Sequence, residues 1–329
     1  MTTEEIAKAL GVSKSTVSRA LSGKGRIGKE TVQRIQSYAR EHGFWEERKT
    51  AQQDKSSNIA VVVPADAYVD SIPFFQESLL GIDESLEIYN YNVLIVADVP
   101  GDVSNIKKII EREKAEGIIL LRSVEGDLLQ EYLAGIDFPT GVIGKARYAD
   151  MIQVDVDNRK AAENLVSLLG GQGYRKFCMV GGDTTYYVNQ ERAKGYFDGL
   201  EGMKIPKEQL YYPNFIDIES DGDVIRGLLA QKVECVICGD DVICAQITSR
   251  LQAEGFRIPK DISVASLYNS KYLGCFSPQI TAVSVSARTM GNIVGKQLIS
   301  KLRGEAYRSD ILVDYDILNR RSTRRFLEM

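Results

Sequence analysis

Apolar positions recur at helical spacing through the first forty-odd residues and then as short continuous runs, and this change of rhythm divides the chain. Ile6, Ala9 and Leu10 fall at i, i+3 and i+4, and Thr2 with Glu5 matches a capping box, which predicts a short first helix. Gly11 supplies a sharp turn, since it takes positive φ at no steric cost, and Ser13 suits the N-cap of a second helix. Val17, Ala20 and Leu21 share one arc of that helix, Ser15, Ser18 and Arg19 lie on the other side, and Lys14 projects from the first turn. A third helix places Val32, Ile35 and Ala39 inward and stops at Gly43. The expectation is an all-α helix-turn-helix headpiece over 1–44.

Residues 45–57 are polar and lack core periodicity, so they read as a linker or hinge. From Asn58 onward the rhythm alternates. Apolar strands at 59–63, 93–97, 117–121 and 140–143 are interleaved with helices at 74–89 and 104–116. After Asp157, a helix-cap candidate, the pattern restarts with strands at 177–180, 233–237 and 263–267 and helices near Glu191, Asp223 and Asp241. Short apolar strands separated by helices predict parallel sheets covered on both faces. The expectation for 58–329 is an α/β bilobal body with Rossmann-like lobes and a ligand cleft at the strand C-termini.

Length and composition fit this division. The chain has 329 residues, more than one typical core, with 44% hydrophobic and 26% charged residues. No apolar run approaches the ~18 residues of a membrane span, and the polar N-terminus lacks a signal peptide's apolar segment, so a cytoplasmic protein is expected. The net charge of −4 is unevenly spread, because residues 1–53 carry ten basic against six acidic side chains. A basic module on an acidic body fits a DNA reader joined to something else, with affinity that falls as salt rises.

Few residues suggest catalysis or metal binding. The five cysteines are odd in number, and Cys235 and Cys238 lie in an apolar run where i and i+3 point to opposite faces of a strand. Gly181-Gly182 follows a strand, but no Gly-Lys-Ser/Thr follows it, so a strand-to-helix turn is the better account. His42 reads as a cap at the end of the third helix. No enzyme, cofactor or metal is expected.

The headpiece has definite chemistry. A recognition helix enters the major groove N-terminus first, with small hydroxyls against phosphates and longer side chains at base edges. Ser13, Thr16 and Ser18 suit phosphates; Lys14, Ser15 and Arg19 suit bases, and Arg19 can hold a guanine by two hydrogen bonds.

The residues Ile6-Ala7, Gly11-Val12-Ser13 and Thr16-Val17-Ser18-Arg19-Ala20-Leu21 resemble the N-terminal signature of the lactose/galactose repressor family of bacterial transcription regulators. The resemblance continues through Gly255 to Val264, Ser277-Pro278-Gln279-Ile280-Thr281, Met290-Gly291 and Arg320-Arg321-Ser322-Thr323. It implies base reading by Lys14, Ser15 and Arg19, and a periplasmic-binding-protein-like body whose chain crosses between the lobes three times. It also implies a small effector, often a sugar or nucleobase, held at the positions of Asp157, Arg192 and Asp240. A homodimer on a near-palindromic DNA operator is expected, since no heptad tail follows Thr323.

This chain departs from the resembled pattern at several points. Glu46-Glu47 and Gln53 stand where the family's hinge carries Pro-Asn and a leucine that wedges into the minor groove. Tyr268 replaces an aspartate that often clamps sugar hydroxyls, and Ile72 stands where asparagine is frequent, ahead of Phe74 and Phe75. Those changes make the cleft less suited to a bare hexose, and Tyr268, Phe74 or Phe75 can stack on a ring. Two rival readings remain: a bilobal binding or sensor protein whose headpiece no longer engages DNA productively, and an α/β enzyme with a fused headpiece. Selection from random duplexes separates the first and turnover of a bound metabolite the second.

Overall fold

The computed structural model describes residues 3–22, 27–41, 57–65, 73–98, 101–206, 210–217 and 223–323, and the chain divides into two compact units, 1–56 and 57–329. The sequence readings at Thr2, His42, Gly43, Glu46, Glu47, Gln53 and Ile72 lie outside the described residues.

The first unit holds three helices, α1 (Thr3–Leu10), α2 (Lys14–Ser22) and α3 (Lys29–Glu41). Gly11 turns the chain between the first two at φ +64°, in the left-handed region that disfavours a Cβ. Ile6, Ala7, Val17, Ala20, Ile35 and Ala39 form the core, with Leu10, Val12 and Val32 packed on it. Ala9 is exposed and Ala7 takes the inward place instead. The reason is that α1 is covered by both α2 and α3, so its buried arc is rotated from the one that i, i+3, i+4 spacing suggests. Arg34 Nη2 donates to the Leu10 carbonyl at 2.9 Å, satisfying an acceptor left open at the end of α1.

The second unit contains two lobes, each built on a six-stranded sheet. In the first lobe run β1 (Asn58–Pro64), α4 (Pro73–Glu87), β2 (Asn92–Asp98), α5 (Ser104–Glu111), β3 (Gly117–Leu120), α6 (Leu128–Gly135), β4 (Thr140–Ile143) and β5 (Ile152–Asp155). The chain then enters the second lobe with α7 (Asn158–Gly171), β6 (Phe177–Val180), α8 (Tyr187–Gly202), β7 (Leu210–Tyr212), α9 (Asp223–Ala230) and β8 (Cys235–Cys238). That lobe continues with α10 (Asp241–Ala253), β9 (Ser263–Ser266) and β10 (Thr281–Val285). Next α11 (Ala287–Leu302) and β11 (Asp310–Leu312) return to the first lobe, and β12 (Tyr315–Leu318) closes the second.

The strand orders are β11-β5-β4-β3-β1-β2 and β12-β10-β9-β8-β6-β7, parallel except where β12 runs antiparallel to β10. This is the pair of helix-covered parallel sheets expected from the apolar runs. Each sheet has a core on both faces, so its central strands are apolar at nearly every position. Cys235 packs into one of the second lobe's cores and Cys238 into the other, as opposite faces require.

Glycines fasten the helix pairs that flank the cleft. A Cβ on Gly81 of α4 would sit 2.0 Å from the Arg288 carbonyl oxygen of α11, and one on Gly291 would sit 2.1 Å from that of Ser78. In the second lobe, Gly195 of α8 approaches the Arg159 carbonyl of α7 in the same way, at 2.0 Å. The bare Cα lets each pair of helices touch backbone to backbone, which sets where α8 carries its functional side chains.

Candidate nucleic-acid interface and ligand cleft

In the headpiece, Ser13 caps α2. Its hydroxyl accepts from the Thr16 N–H at 3.1 Å and lies 2.8 Å from the hydroxyls of both Ser15 and Thr16. Ser13, Lys14, Ser15, Ser18 and Arg19 are exposed and Thr16 is half-buried, so the apolar face of α2 turns inward and the hydroxyl and basic face outward. Lys14 Nζ reaches Glu4 Oε1 across to α1 at 3.1 Å. This pair is exposed on both sides, so it contributes little and leaves Lys14 available to a stronger anion.

In the second unit, a cavity of about 150 Å³ lies between the lobes. Its walls follow the C-terminal ends of the parallel strands. Arg122 and Ser123 come just after β3, Lys145 after β4, Asp155 ends β5, Asp240 follows β8 and Tyr268 follows β9. Parallel strands bring loops from every strand to one end of the sheet, which is why open α/β sheets bind ligands there.

Arg192 lines the cavity together with Arg122 and Lys145. It sits on α8, donates from Nη1 to the Gly239 carbonyl at 2.8 Å, and among the described residues leaves a buried Nε without a hydrogen-bond partner. Burial pulls its guanidinium down to about 10, with Asp155, Tyr268 and Asp241 opposing that pull. Across the crossover, burial pushes the Asp155 carboxyl up to about 6, although the Val156 N–H, Arg192 and Asn158 favour its charged form. A buried donor with no partner next to an under-solvated carboxylate forms a recognition point for a polar ligand group.

The two aspartates that the resemblance placed at the effector lie differently, and only Asp157 departs from that expectation. Asp240 lines the cavity but also caps α10, accepting from the Ile243 N–H at 2.9 Å. Burial, with the Asp241 charge adding to it, pushes Asp240 up to about 7. Asp157 is exposed and does not line the cavity; its carboxylate caps α7 by accepting from the Lys160 N–H at 2.8 Å. The carboxylate at the cleft is Asp155, two residues earlier. The alternation of β5 and the start of α7 decide which of these aspartates faces in.

The apolar side of the cleft crosses between the lobes. Phe74 and Phe75 of α4 pack edge-on at 5.5 Å between ring centroids, and Phe74 lies edge-on to Tyr268 at 5.7 Å. Leu121, Ile143, Val156, Val188, Val285 and Met290 complete it. Sequence reasoning missed Arg122, Lys145, Asp155, Tyr186 and Asn189, all of them lining residues. Position immediately after a predicted strand was the available signal for Arg122 and Lys145.

A headpiece with an outward hydroxyl and basic helix, joined to a bilobal body with a polar and aromatic cleft, defines a helix-turn-helix regulator with a periplasmic-binding-protein-like domain. A family model described as bacterial regulatory proteins, lacI family, matches residues 2–46, and one for a periplasmic binding protein-like domain matches residues 166–323. The chain carries the DNA-binding domain of the lacI family of bacterial regulatory proteins ahead of a periplasmic-binding-protein-like domain, and is a DNA-binding transcriptional regulator. It is 26% identical to the HTH-type transcriptional regulator MalR of Staphylococcus xylosus, covering 100% of both chains. It is 25% identical to the HTH-type transcriptional regulator RegA of Clostridium saccharobutylicum over 97% of this chain and 98% of that protein. Its fold matches a solved structure of the transcriptional regulator CelR–cellobiose complex with a TM-score of 0.74 and 21% identity, over 98% of this chain and 99% of that one.

Proposed function

We propose that this protein is a homodimeric cytoplasmic repressor of a near-palindromic operator, tuned by a small sugar or related metabolite in the interlobe cleft. Lys14, Ser15 and Arg19 read bases, while Ser18, Thr16 and the capped end of α2 at Ser13 meet phosphates. The CelR structure contains cellobiose, which supports a sugar-class effector. The observation that carries the reading is the partnerless Nε of Arg192 beside Asp155, opposite a wall of aromatic rings. One side of the cavity offers a charged donor to a hydroxyl or carbonyl, and the other offers ring faces and edges to a pyranose or a planar ring.

A second copy has a place to pack. Leu80 on α4, Ile88 just beyond it and Ile95 on the adjoining edge strand β2 are exposed by 52%, 68% and 61%. Large apolar side chains on an open sheet edge favour self-association. Two headpieces then meet half-sites about one helical turn apart, and the effector shifts the equilibrium between lobe geometries that match or mismatch that spacing.

The test is selection of binding duplexes from a random pool, followed by operator affinity measured over a panel of mono- and disaccharides, sugar phosphates and nucleosides. A two-fold symmetric consensus and one compound that moves affinity at least about tenfold, or ~1.4 kcal/mol of coupling, are expected. An unstructured pool together with no responsive compound overturns the reading.

A further inference from the structure

One set of contacts between the lobes joins two short segments. Residues 122–125, just after β3 in the first lobe, lie against residues 184–190, at the start of α8 in the second. Val124 and Tyr186 form an antiparallel bridge between the lobes. The Glu125 N–H donates to the Thr185 carbonyl at 2.9 Å, and the Tyr187 N–H donates to the Ser123 carbonyl at 3.1 Å. Gln190 Nε2 adds a bond to Glu125 Oε2 at 3.2 Å.

Two cations of the first lobe reinforce this pairing against two rings of the second. The Arg122 guanidinium lies 5.9 Å from the Tyr186 ring centroid, and Lys145 Nζ lies 5.1 Å from that of Tyr187. Asp98 at the end of β2 orients Arg122, accepting from its Nε at 2.6 Å and from its Nη2, in a pair that is almost fully buried. A guanidinium held in this way keeps its plane fixed, so Tyr186 meets a preformed surface instead of a mobile side chain.

We infer that residues 122–125 and 184–190 form a clasp that biases the lobes toward closure of the cleft, with Asp98 as the positioning residue of its Arg122 anchor. A two-bond strand pairing with two cation–π contacts is a small but additive bias on a two-state lobe equilibrium. Because Arg122 and Tyr186 also line the cavity, an effector that enters must disturb the clasp, and this links occupancy to lobe geometry. The inference rests on the proposed regulation and names the contacts that bias its lobe equilibrium. The measurement below uses neither operator nor effector, so its failure leaves the DNA-binding reading intact.

The test is an interlobe distance in the full chain by pulsed electron resonance. Spin labels are placed at Lys108→Cys on α5 and at Lys260→Cys, both exposed, in a Cys275→Ser background diluted with unlabelled chain. The remaining cysteines are buried and resist labelling. The ligand-free protein is expected to give a single short distance. Tyr187→Leu, and separately Glu125→Pro with Tyr187→Ala, are expected to move it to a mixture dominated by a longer one. Asp98→Asn is expected to lengthen it as Tyr187→Leu does, and Asp98→Glu to restore the short distance at least in part. Thermal unfolding confirms that each variant is folded, and Tyr187→Leu stands for the clasp if the proline variant does not fold. A ligand-free protein already spread over both distances, or Tyr187→Leu and Asp98→Asn variants indistinguishable from it, overturns the inference.

Discussion

Phe74 on α4 and Tyr268 after β9 belong to different lobes, yet their rings meet edge-on with centroids 5.7 Å apart at the wall of the cleft. Burial pushes the Tyr268 hydroxyl well above its ordinary value, so the ring enters the cleft neutral. Aromatic pairs of this geometry contribute about 0.5–1.5 kcal/mol beyond the area they bury. Replacing Tyr268 by leucine should weaken the effector found by the panel by roughly 2- to 10-fold while leaving operator affinity unchanged in its absence. Titration calorimetry and operator anisotropy on the same preparation check both halves.

Arg192→Met separates ligand contact from structure. A buried guanidinium with one open donor is costly to bury, and an apolar chain of similar length removes that cost. Thermal stability should hold or rise, operator binding should persist, and response to the effector should disappear. A fall in stability of more than about 3 kcal/mol would make Arg192 a brace between α8 and Gly239 and not a ligand contact.

The headpiece prediction concerns discrimination. Arg19→Ala, and separately Ser15→Ala, should each cost about 1–3 kcal/mol on the selected operator and relax the consensus at one position of each half-site. Affinity for unrelated duplex at low salt should change far less for Ser15→Ala, which removes no charge. Repeated selection with each variant locates the relaxed position.

A pH dependence follows from Asp240. Its folded value of about 7 lies above the ordinary 3.8, so the folded chain binds more protons than the unfolded chain between those values. Stability from this group is therefore present at low pH and is lost as pH rises from about 4 to about 7, with a slope up to about 1.4 kcal/mol per pH unit. Asp240→Asn keeps a competent helix cap and removes the titration. The stability difference, variant minus wild type, should grow across that interval and level off above it; denaturant melts at several pH values measure it.

Gly195→Ala tests the close approach of α7 and α8. The added Cβ would fall 2.0 Å from the Arg159 carbonyl oxygen, which is backbone and cannot swing aside. A loss of about 1–3 kcal/mol is expected, with weakened effector binding because Arg192 lies one turn away on α8. Gly171→Ala, where a Cβ meets nothing, is the control.

Much of this architecture was legible in the chain itself. The i, i+3, i+4 spacing, Gly11 and Ser13 specified a headpiece with Lys14, Ser15 and Arg19 outward, because capping and periodicity are local effects. The short apolar runs specified parallel sheets, because strands buried on both faces must be apolar throughout. Local rules failed where several elements compete for one residue. Ala9 points outward since α1 is covered from two sides, and β11 and β12 are too short to show a period.

The sequence by itself determined the order of elements, the outward face of α2 and the pairing of a basic head with a two-lobed body. Tertiary structure alone decided that Asp155 and not Asp157 faces the cleft, that Arg192 Nε is left without a partner, and that Arg122 reaches Tyr186 across the lobes. The physical reason is distance along the chain. Helix, turn and strand preferences act over a few neighbours, whereas the cleft joins strand ends more than a hundred residues apart, and packing of both lobes fixes which side chain is turned inward.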